Sequence, residues 1–591
     1  MTDLERTSWR SSYCGALRAE HIGQRVTLGG WVHRRRDLGG IVFLDLRDRA
    51  GLVQVAVGPA WAGADVVGRA GGLGAETVVV VEGEVVARPA DMKNPELATG
   101  DVEVHATSVR VVGPAETPAI PVARGKGEEL AAEESRLTHR HLDLRRPEMQ
   151  ANLILRHRLL QRSRRTMSDL GFLEIETPIL TKPTPEGARD YLVPSRVHPG
   201  EFYALPQSPQ IYKQLLMVSG FDRYFQIARC FRDEDLRFDR QPEFTQIDIE
   251  ASFVGPEDVQ RFVEAVLVAC WAEAGQTVAS PFPRLAWRDA MARYGSDKPD
   301  LRYDIRLADW TKEFTSWTDL PLAGALASDA RNRLEGFLVP GGATLSRKEI
   351  DALSEIAKRA VGKTVVWCKR QGEQLSGSVK LTAERTAALG MTDGALAVML
   401  FGAPTEIRPV LGTLRVETIR RLKLAPSTAH AFCWVVDFPL FEPDPDTGKP
   451  VFAHHPFTAP HPEDIGKLDS EPLACRALHY DAVYNGHELG SGSIRITDPA
   501  VQRTVFRHLG LSPEEIESRF GFLLRALAAG APPHGGFAVG FDRVAMLLAQ
   551  ATSLRDVIAF PKTTAARALF EGAPSPARAE DIAALHLEVT R

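Results

Sequence analysis

Short apolar runs broken by glycine fill the first hundred residues of the chain. They are rich in valine, isoleucine and leucine, and they cover positions 26–28, 41–46, 52–57, 77–86 and 102–112. Five runs of strand length separated by turn-forming residues predict a small β-barrel. Between the third and fourth runs, positions 62–74 predict a short helix interrupted by glycine.

The pattern changes to helical spacing after Pro147. Apolar side chains recur at this spacing up to Leu170, and Gly171 then provides a stop signal. We therefore expect a long helix, followed by a strand at 172–176 that ends at Thr177-Pro178. Further runs at 224–231, 244–253 and 432–437 predict antiparallel strands. The chain as a whole thus predicts an α+β multidomain protein.

The composition is that of an ordinary globular protein with more than one core. The 591 residues are 44% hydrophobic and 25% charged, and no apolar run reaches the roughly 18 residues of a membrane span. The charged first ten residues do not fit a secretory signal, so we expect a cytoplasmic protein with no membrane association. Six dispersed cysteines indicate reduced thiols rather than a disulfide framework or a zinc site.

Charge is distributed unevenly along the chain. A net charge of −5, from 71 basic and 76 acidic residues, disfavours binding of nucleic acid over the whole surface. Positions 34–49, however, hold five arginines against three aspartates, a local excess of +2. Because of this basic patch, binding of nucleic acid is still possible. The predicted barrel, taken alone, also fits a freestanding protein that binds single-stranded nucleic acid.

The segment with the densest set of charged residues extends from Arg229 to Asp248. A generic charge run of this kind is usually a solvated hairpin. Here Arg232 suits phosphate oxygens, because a guanidinium binds them through two N–H groups, and we expect Glu234 on the same face of a strand. Such a pair would hold a nucleotide by its phosphate and its exocyclic amine.

Three segments resemble, in the right order, the signature motifs of class II aminoacyl-tRNA synthetases. Positions 171–178 resemble motif 1, positions 231–234 resemble motif 2, and positions 540–543 resemble motif 3. The resemblance implies an antiparallel catalytic sheet flanked by helices, ATP as a substrate and a homodimer built through motif 1. At motif 3, a helix N-terminus and Arg543 would attract the triphosphate.

Other segments resemble the bacterial aspartyl-tRNA synthetase family, subclass IIb, over nearly the whole chain. They are positions 184–191, 207–213, 454–458 and 492–495. The resemblance implies activation of L-aspartate by ATP and its transfer to the 3′-terminal hydroxyl of tRNA(Asp). It implies an aspartate pocket made of Glu186, Ser208, Gln210, Lys213, Asp248, His454 and Arg495. Because the substrate side chain is a carboxylate, the two cations favour aspartate over asparagine or lysine.

The same resemblance assigns the nucleotide site. Arg232 and Arg543 would be the catalytic cations at the α- and γ-phosphates, and Asp481 and Glu488 would hold Mg²⁺. The implied ATP contacts are Arg232, Asp233, Glu234, Gln241, Glu488, Gly540, Phe541, Asp542 and Arg543.

In the barrel, the resemblance implies an anticodon-binding OB-fold. Its tRNA contacts would be Arg36, Phe43, Gln54 and Glu103, with Phe43 stacked on an unpaired base. Without the family context, Phe43 fits a barrel-core aromatic equally well. Leu38 resembles the versions that discriminate tRNA(Asp) from tRNA(Asn).

The implied domain order places the OB-fold at 1–112 and a hinge at 113–140. The catalytic domain would occupy 141–284 and 421–560, interrupted by a bacterial-type α/β insertion at 285–420 and followed by an extension at 561–591. The residues of the insertion contain no pattern that indicates a chemical function, so its role is open. Two alternatives stay open: an enzyme that also charges tRNA(Asn), and a non-catalytic synthetase-like RNA-binding protein.

Overall fold

The computed structural model describes residues 6–125, 127–183, 187–234, 239–444 and 446–590. Its helices are α1 (Ala64–Gly71), α2 (Glu133–Thr138), α3 (Arg140–Asp143), α4 (Pro147–Asp169), α5 (Gln210–Val218), α6 (Pro256–Glu273), α7 (Trp287–Tyr294), α8 (Thr311–Ser316), α9 (Pro321–Ser328), α10 (Arg347–Val361), α11 (Ala383–Ala388), α12 (Pro404–Leu422), α13 (Pro499–His508), α14 (Pro513–Ala528), α15 (Phe541–Leu548) and α16 (Ala579–Ala584).

The strands are β1 (Arg25–Leu38), β2 (Ile41–Asp48), β3 (Gly51–Val57), β4 (Val78–Ala87), β5 (Val102–Gly113), β6 (Leu173–Glu174), β7 (Leu192–Pro194), β8 (Phe202–Ala204), β9 (Arg223–Phe231), β10 (Glu243–Ser252), β11 (Arg284–Ala286), β12 (Leu307–Asp309), β13 (Arg333–Val339), β14 (Val366–Gln371), β15 (Gln374–Gly377), β16 (Leu396–Gly402), β17 (Phe432–Val436), β18 (Phe441–Pro443), β19 (Pro450–Phe452), β20 (His479–Tyr484), β21 (His487–Ile494) and β22 (His534–Gly540). The chain divides into two compact units: residues 1–157, 236–241 and 545–579 form the first, and the remaining residues form the second.

The first unit contains a closed five-stranded barrel in the order β1-β2-β3-β5-β4. Its core is built from alternating apolar positions, such as Val42, Leu44 and Leu46 on β2, each at most 1% exposed. Phe43 lies between two of them in sequence and therefore faces away from that core. The predicted barrel is confirmed, and so is the short helix between the third and fourth strands, which is α1.

Strand β1 is much longer than the run at 26–28 that the apolar pattern predicts. It continues through the arginine-rich stretch to Leu38, because those residues pair antiparallel with β2. The hairpin turns at Gly39 and Gly40, whose φ values of 68° and 93° suit a two-residue connection. Pairing within the hairpin thus orders a segment whose side chains are polar and exposed.

Residues after α15 are packed into the first unit by a buried arginine. Arg140 on α3 is 1% exposed and donates to the carbonyls of Arg555, Ile558 and Ala559, at 2.5–2.8 Å. Buried guanidinium groups need such partners, so this network fixes the path of the chain here.

The second unit is organised by an eight-stranded sheet in the order β11-β17-β20-β21-β22-β10-β9-β6. Its six central strands pair antiparallel, while β11 and β6 add in parallel at the two edges. The strands predicted at 224–231, 244–253 and 432–437 are confirmed as β9, β10 and β17. The strand predicted at 172–176 is too long: only Leu173–Glu174 pairs with β9 before the chain leaves the edge toward Pro178.

A second sheet, in the order β12-β13-β16-β14-β15, lies within the predicted insertion and is antiparallel throughout. Alternate residues of β16 belong to two different apolar clusters. Val398 and Leu400 are in one cluster, and Ala397 and Met399 are in the other. Helices α8, α9, α10 and α12 contribute to these clusters, so the α/β character expected of the insertion is confirmed.

All six cysteines are buried and free, as expected for reduced thiols. None of the helices described here is long and apolar enough to cross a membrane.

Candidate active site

The centre of the second unit's sheet carries two buried carboxylates on β10. Asp248 and Glu250 are two residues apart and therefore face the same side, and both are fully buried. Lys213 on α5 lies against them, with its Nζ 2.6 Å from Asp248 Oδ1 and 3.4 Å from Glu250 Oε2. The structure therefore brings the predicted Lys213 and Asp248 together.

Arg495 is the first residue after β21, and its side chain contacts Glu250 in the same cluster. Its Nε and Nη2 donate to the two oxygens of Glu250 at 2.8 and 3.0 Å. Its Nη1 donates to His455 Nε2 at 2.9 Å and to Ser493 Oγ at 2.6 Å. Glu250 thus bridges the two cations expected to bind the substrate carboxylate.

A glycine on β22 makes room for this bridge. Gly536 pairs with Glu250 across the sheet, and a Cβ at this position would stand 1.9 Å from Glu250 Oε2. Any side chain here would displace the carboxylate. Gly536, before motif 3, is therefore explained by the close approach of Glu250.

Burial and charge shift the pKa values of these groups in opposite directions. Burial raises the pKa of Asp248, with Lys213 opposing it. For Glu250, burial acts in the same way, but Arg495 and Lys213 outweigh it and lower the pKa. Burial, and then the nearby Arg495, lower the pKa of His455 well below its usual range. This imidazole is therefore neutral, and its Nε2 accepts a hydrogen bond from Arg495.

Two polar atoms around Lys213 have no hydrogen-bond partner among the residues that the structure describes. They are Nε2 of Gln210, the first residue of α5, and Oδ2 of Asp248. Ser208 lies two residues before Gln210 and is half-buried. A buried donor and a buried acceptor left unmatched beside fixed cations are suited to a zwitterionic ligand. Glu186, also expected here, lies outside the described residues.

Gln207, which the sequence analysis did not single out, orders the segment near this pocket. Its side chain hydrogen-bonds both the N–H and the carbonyl of Ala188, at 3.1 and 2.8 Å, and donates to Asp190 Oδ1 at 2.6 Å. It is 1% exposed. The glutamine therefore ties residues 188–190 to the start of α5.

The motif 2 residues lie beyond the strand on which they were expected. Strand β9 ends at Phe231, so the predicted shared strand face for Arg232 and Glu234 is wrong. Arg232 N–H still donates to the carbonyl of Pro242, just before β10, at 2.9 Å. Asp233 N–H instead donates to the carbonyl of Arg189 at 3.0 Å, so the chain departs from β10 at Asp233. Arg232 lies over the ring of Phe244, at 5.0 Å, and its buried Nε has no hydrogen-bond partner among the described residues. This arginine has donor capacity for an anion.

Motif 3 is a strand followed by a helix, as predicted. Gly540 ends β22, and Phe541, Asp542 and Arg543 form the first turn of α15. Asp542 is buried and accepts a hydrogen bond from Thr245 N–H at 2.7 Å, while Phe541 is fully buried. Arg543 Nη1 donates to the carbonyl of Glu488 at 2.6 Å. The strand and helix thereby place the Arg543 guanidinium beside β21.

The proposed metal ligands lie on neighbouring strands. Asp481 is on β20 and Glu488 is on β21. Burial and then Glu488 raise the pKa of Asp481, whereas Lys298 overcomes burial and lowers that of Glu488. These two carboxylates suit Mg²⁺, which takes one or two protein oxygens and completes its shell with water and phosphate. No larger His/Cys/Asp/Glu cluster that could hold a metal occurs in the described part of the chain.

Lys298 is a member of this site that the sequence analysis missed. Its Nζ lies 2.8 Å from Glu488 Oε2, although it belongs to the predicted insertion. Glu488 raises the pKa of Lys298 against the effect of burial. No local pattern marks this lysine, because its partner is far away in sequence. The sequence leaves the role of the insertion open, and the structure places one of its lysines beside Glu488.

His454, the predicted substrate histidine, stacks on His479 with ring centroids 3.4 Å apart. His479 Nε2 in turn lies 2.9 Å from Asp481 Oδ1. Burial lowers the pKa of His454 to about 2 and that of His479 to about 3. The neighbouring His455, rather than His454, contacts Arg495, which the sequence pattern did not distinguish.

Within the first unit, Gln241 is 4% exposed and hydrogen-bonds the backbone of Lys562 through both ends of its amide, at 2.8 and 2.9 Å. The structure thus places this predicted ATP contact against the chain after α15.

The predicted anticodon residues lie together on the outer face of the barrel. Arg36 pairs across the hairpin with Phe43, and its Nη2 donates to Asp45 at 2.8 Å and to Gln54 at 3.2 Å. Gln54 Nε2 donates to Glu103 Oε2 at 2.7 Å. A half-buried aromatic ring next to a chain of oriented polar groups can stack on and read an unpaired base. Leu38, at the tip of the same hairpin, is 65% exposed.

Comparison with known proteins agrees with this geometry. Residues 132–564 match the family described as tRNA synthetases class II (D, K and N), and residues 26–112 match the OB-fold nucleic acid binding domain. The Aspartate–tRNA ligase of Geobacillus kaustophilus is 48% identical over 588 residues, spanning 98% of this chain and 99% of that protein. The Aspartate–tRNA(Asp/Asn) ligase of Bacillus subtilis is 46% identical over 592 residues, with 98% and 99% covered.

A solved structure supports the fold alone. The asparaginyl-tRNA synthetase from Pyrococcus horikoshii complexed with asparaginyl-adenylate has a TM-score of 0.59 at 19% identity, covering 93% of this chain and 98% of its own. The motifs, the closed barrel, the antiparallel sheet and the near full-length identity lead to one assignment. The chain belongs to the class II aminoacyl-tRNA synthetases and, within them, to the bacterial aspartate–tRNA ligase family.

Proposed function

We propose that the chain is an ATP-dependent aspartate–tRNA ligase that forms aspartyl-adenylate and then aspartyl-tRNA(Asp). The observation that carries the proposal is the buried bridge in which Glu250 holds Lys213 and Arg495 side by side. Of the five N–H donors of Arg495, the described residues occupy four. The remaining donor and the ammonium of Lys213 are positioned to receive the substrate's side-chain carboxylate.

The rest of the pocket matches the amino acid's other end. The unmatched Asp248 Oδ2 suits the substrate ammonium, and the family resemblance assigns Ser208, Gln210 and Glu186 to the same end of the amino acid. Asparagine would present no carboxylate to the two cations, and lysine would bring a third positive charge. Because a wrong ligand leaves a buried charge unmatched, discrimination by this pocket is expected to be large.

For activation, the substrate's α-carboxylate attacks the α-phosphorus of ATP in line, and pyrophosphate leaves. The carboxylate is already ionised at neutral pH, so no general base is required. Arg232 neutralises charge at the α-phosphate and Arg543 at the γ-phosphate, while Asp233, Glu234 and residues 540–542 contribute to the nucleotide site. The family resemblance also assigns Gln241 to ATP. Asp481 and Glu488 would hold Mg²⁺, which supplies charge neutralisation between the phosphates when bound.

The tRNA(Asp) anticodon would bind the outer face of the barrel through Arg36, Phe43, Gln54 and Glu103. We further propose that exposed Leu38 favours tRNA(Asp) over tRNA(Asn), which charging of both purified tRNAs tests. A homodimer through motif 1 is supported by apolar side chains left exposed there: Leu173, Ile179 and Leu180 are 51%, 42% and 52% exposed. An enzyme that uses ATP and tRNA is placed in the cytoplasm.

The direct test is aspartate-dependent exchange of pyrophosphate into ATP. Exchange with aspartate, and not with asparagine or lysine, is the expected result. Exchange with asparagine or lysine alone would contradict the substrate assignment. A well-folded preparation without adenylate formation would instead favour the non-catalytic RNA-binding alternative.

A further inference from the structure

The segment that carries Lys298 is firmly held next to the Asp481–Glu488 pair. Arg415 on α12 is 1% exposed and donates to the carbonyls of Asp300, Tyr303 and Ile305, at 2.6–2.9 Å. Three hydrogen bonds from one planar guanidinium leave this backbone little freedom. The position of Lys298 is therefore set by packing, whereas its ammonium ends a flexible stem.

The turn between β20 and β21 also packs against this segment. A Cβ on Gly486, in that turn, would stand 3.3 Å from the Cβ of Asp300. The hairpin that carries Asp481 and Glu488 and the segment that carries Lys298 are thus built as neighbours. A lysine and a carboxylate drawn together in this way do not form an incidental surface pair.

The ammonium and a metal ion would use the same oxygens. Lys298 Nζ lies 2.8 Å from Glu488 Oε2, which is one of the oxygens assigned to Mg²⁺. Two cations on one carboxylate oxygen repel each other strongly in a half-buried site. A metal ion held by Glu488 would therefore weaken the pairing between Glu488 and Lys298. The Lys298 side chain is 41% exposed, so it has room to turn outward.

We propose that Lys298, which pairs with Glu488, is an ATP-binding residue whose ammonium moves to a triphosphate oxygen when MgATP binds. The inference rests on the proposed function, because that function supplies the triphosphate. Once the Lys298 ammonium is released from Glu488, the phosphate oxygens of the bound nucleotide are the strongest hydrogen-bond acceptors for it. The insertion thereby contributes directly to the nucleotide site.

The experiment compares Lys298→Met with the wild-type protein in two binding measurements. Mn²⁺ binding to the nucleotide-free protein, followed by electron paramagnetic resonance, should become at least threefold tighter, because the competing ammonium is gone. MgATP binding, followed by titration calorimetry, should become about tenfold weaker, because a phosphate contact is lost. The two affinities are expected to move in opposite directions.

Two control variants sharpen the test. Lys312→Met removes an exposed lysine from α8 and should change neither affinity. Lys298→Arg keeps the charge and should keep Mn²⁺ affinity near the wild-type value. Unchanged or weaker Mn²⁺ binding in Lys298→Met would overturn the competition, and unchanged MgATP binding would overturn the phosphate contact. Aspartate-dependent exchange by the wild-type protein tests the proposed function separately, since the Mn²⁺ measurement needs no amino acid.

Discussion

Arg495 and Glu250 form a two-bond ion pair in which neither side chain is more than 1% exposed, although 245 residues separate them in sequence. Removing both charges from water costs free energy. The pair occurs at a place where the buried ammonium of Lys213 also needs a negative charge beside it. Because Glu250 holds both cations, it positions the carboxylate-binding groups before substrate arrives.

Glu250→Gln is expected to lose both stability and aspartate affinity. Removing one member of a buried ion pair costs about 3–5 kcal/mol and leaves the cations free to reorient. The KM for aspartate in pyrophosphate exchange should rise roughly tenfold or more, with a smaller effect on the KM for ATP. As a control, Glu417→Gln breaks a surface cluster with Arg420 and Arg421 and should leave thermal unfolding and both KM values nearly unchanged. Wild-type aspartate affinity in Glu250→Gln would contradict the positioning role.

Arg232→Ala is expected to abolish activation without loss of tRNA binding. A preorganised cation at a reacting phosphate is worth on the order of a hundredfold or more in rate. Pyrophosphate exchange should fall by at least that factor, while tRNA affinity in a filter-binding assay stays within about twofold. The matched control is Arg284→Ala, which removes an exposed arginine from β11. Unchanged exchange in Arg232→Ala would show that motif 2 is assigned to the wrong residues.

Phe43→Ala is expected to affect only the tRNA step. Stacking of one base on an aromatic ring is worth about 1–3 kcal/mol, so tRNA(Asp) affinity should fall roughly 5- to 150-fold. Because the ring faces away from the barrel core, the barrel should stay folded and exchange should be unaffected. Met92→Ala, which truncates another exposed apolar side chain of the barrel, serves as the control. Equal tRNA binding by both variants would argue against an anticodon role for Phe43.

Stability is expected to fall on mild acidification because of the buried histidines. The pKa of His454 is about 2 and that of His479 about 3 in the folded protein, against about 6.5 when unfolded. Below about pH 6.5 the unfolded chain binds protons that the folded chain excludes, so stability is full above that pH and declines toward pH 3. Thermal unfolding between pH 8 and pH 5 measures this slope.

In that experiment His454→Gln should flatten the slope, whereas substitution of exposed His198 by glutamine should preserve it. Comparing slopes rather than absolute midpoints separates proton uptake from any packing loss. An unchanged slope in His454→Gln would mean that its imidazole does not resist protonation in the folded protein.

Much of the fold followed from local pattern. The five barrel strands, the long helix ending near Gly171, and strands β9 and β10 were predictable because periodicity and turn residues act over a few positions. Prediction failed where pairing overrides local preference. Residues 31–38 are extended because β2 pairs with them, and the chain departs from β10 at Asp233, whose N–H bonds the carbonyl of Arg189.

The sequence by itself determined the family, the order of the motifs and the residue types of the site, because these are contiguous signatures. Only the tertiary structure decided that Glu250 bridges Lys213 and Arg495, that His455 rather than His454 contacts Arg495, and that Lys298 sits on Glu488. The physical reason is that charge pairing depends on the register of strands distant in sequence. The sequence around a single lysine or glutamate does not indicate which distant residue it will pair with in the folded protein.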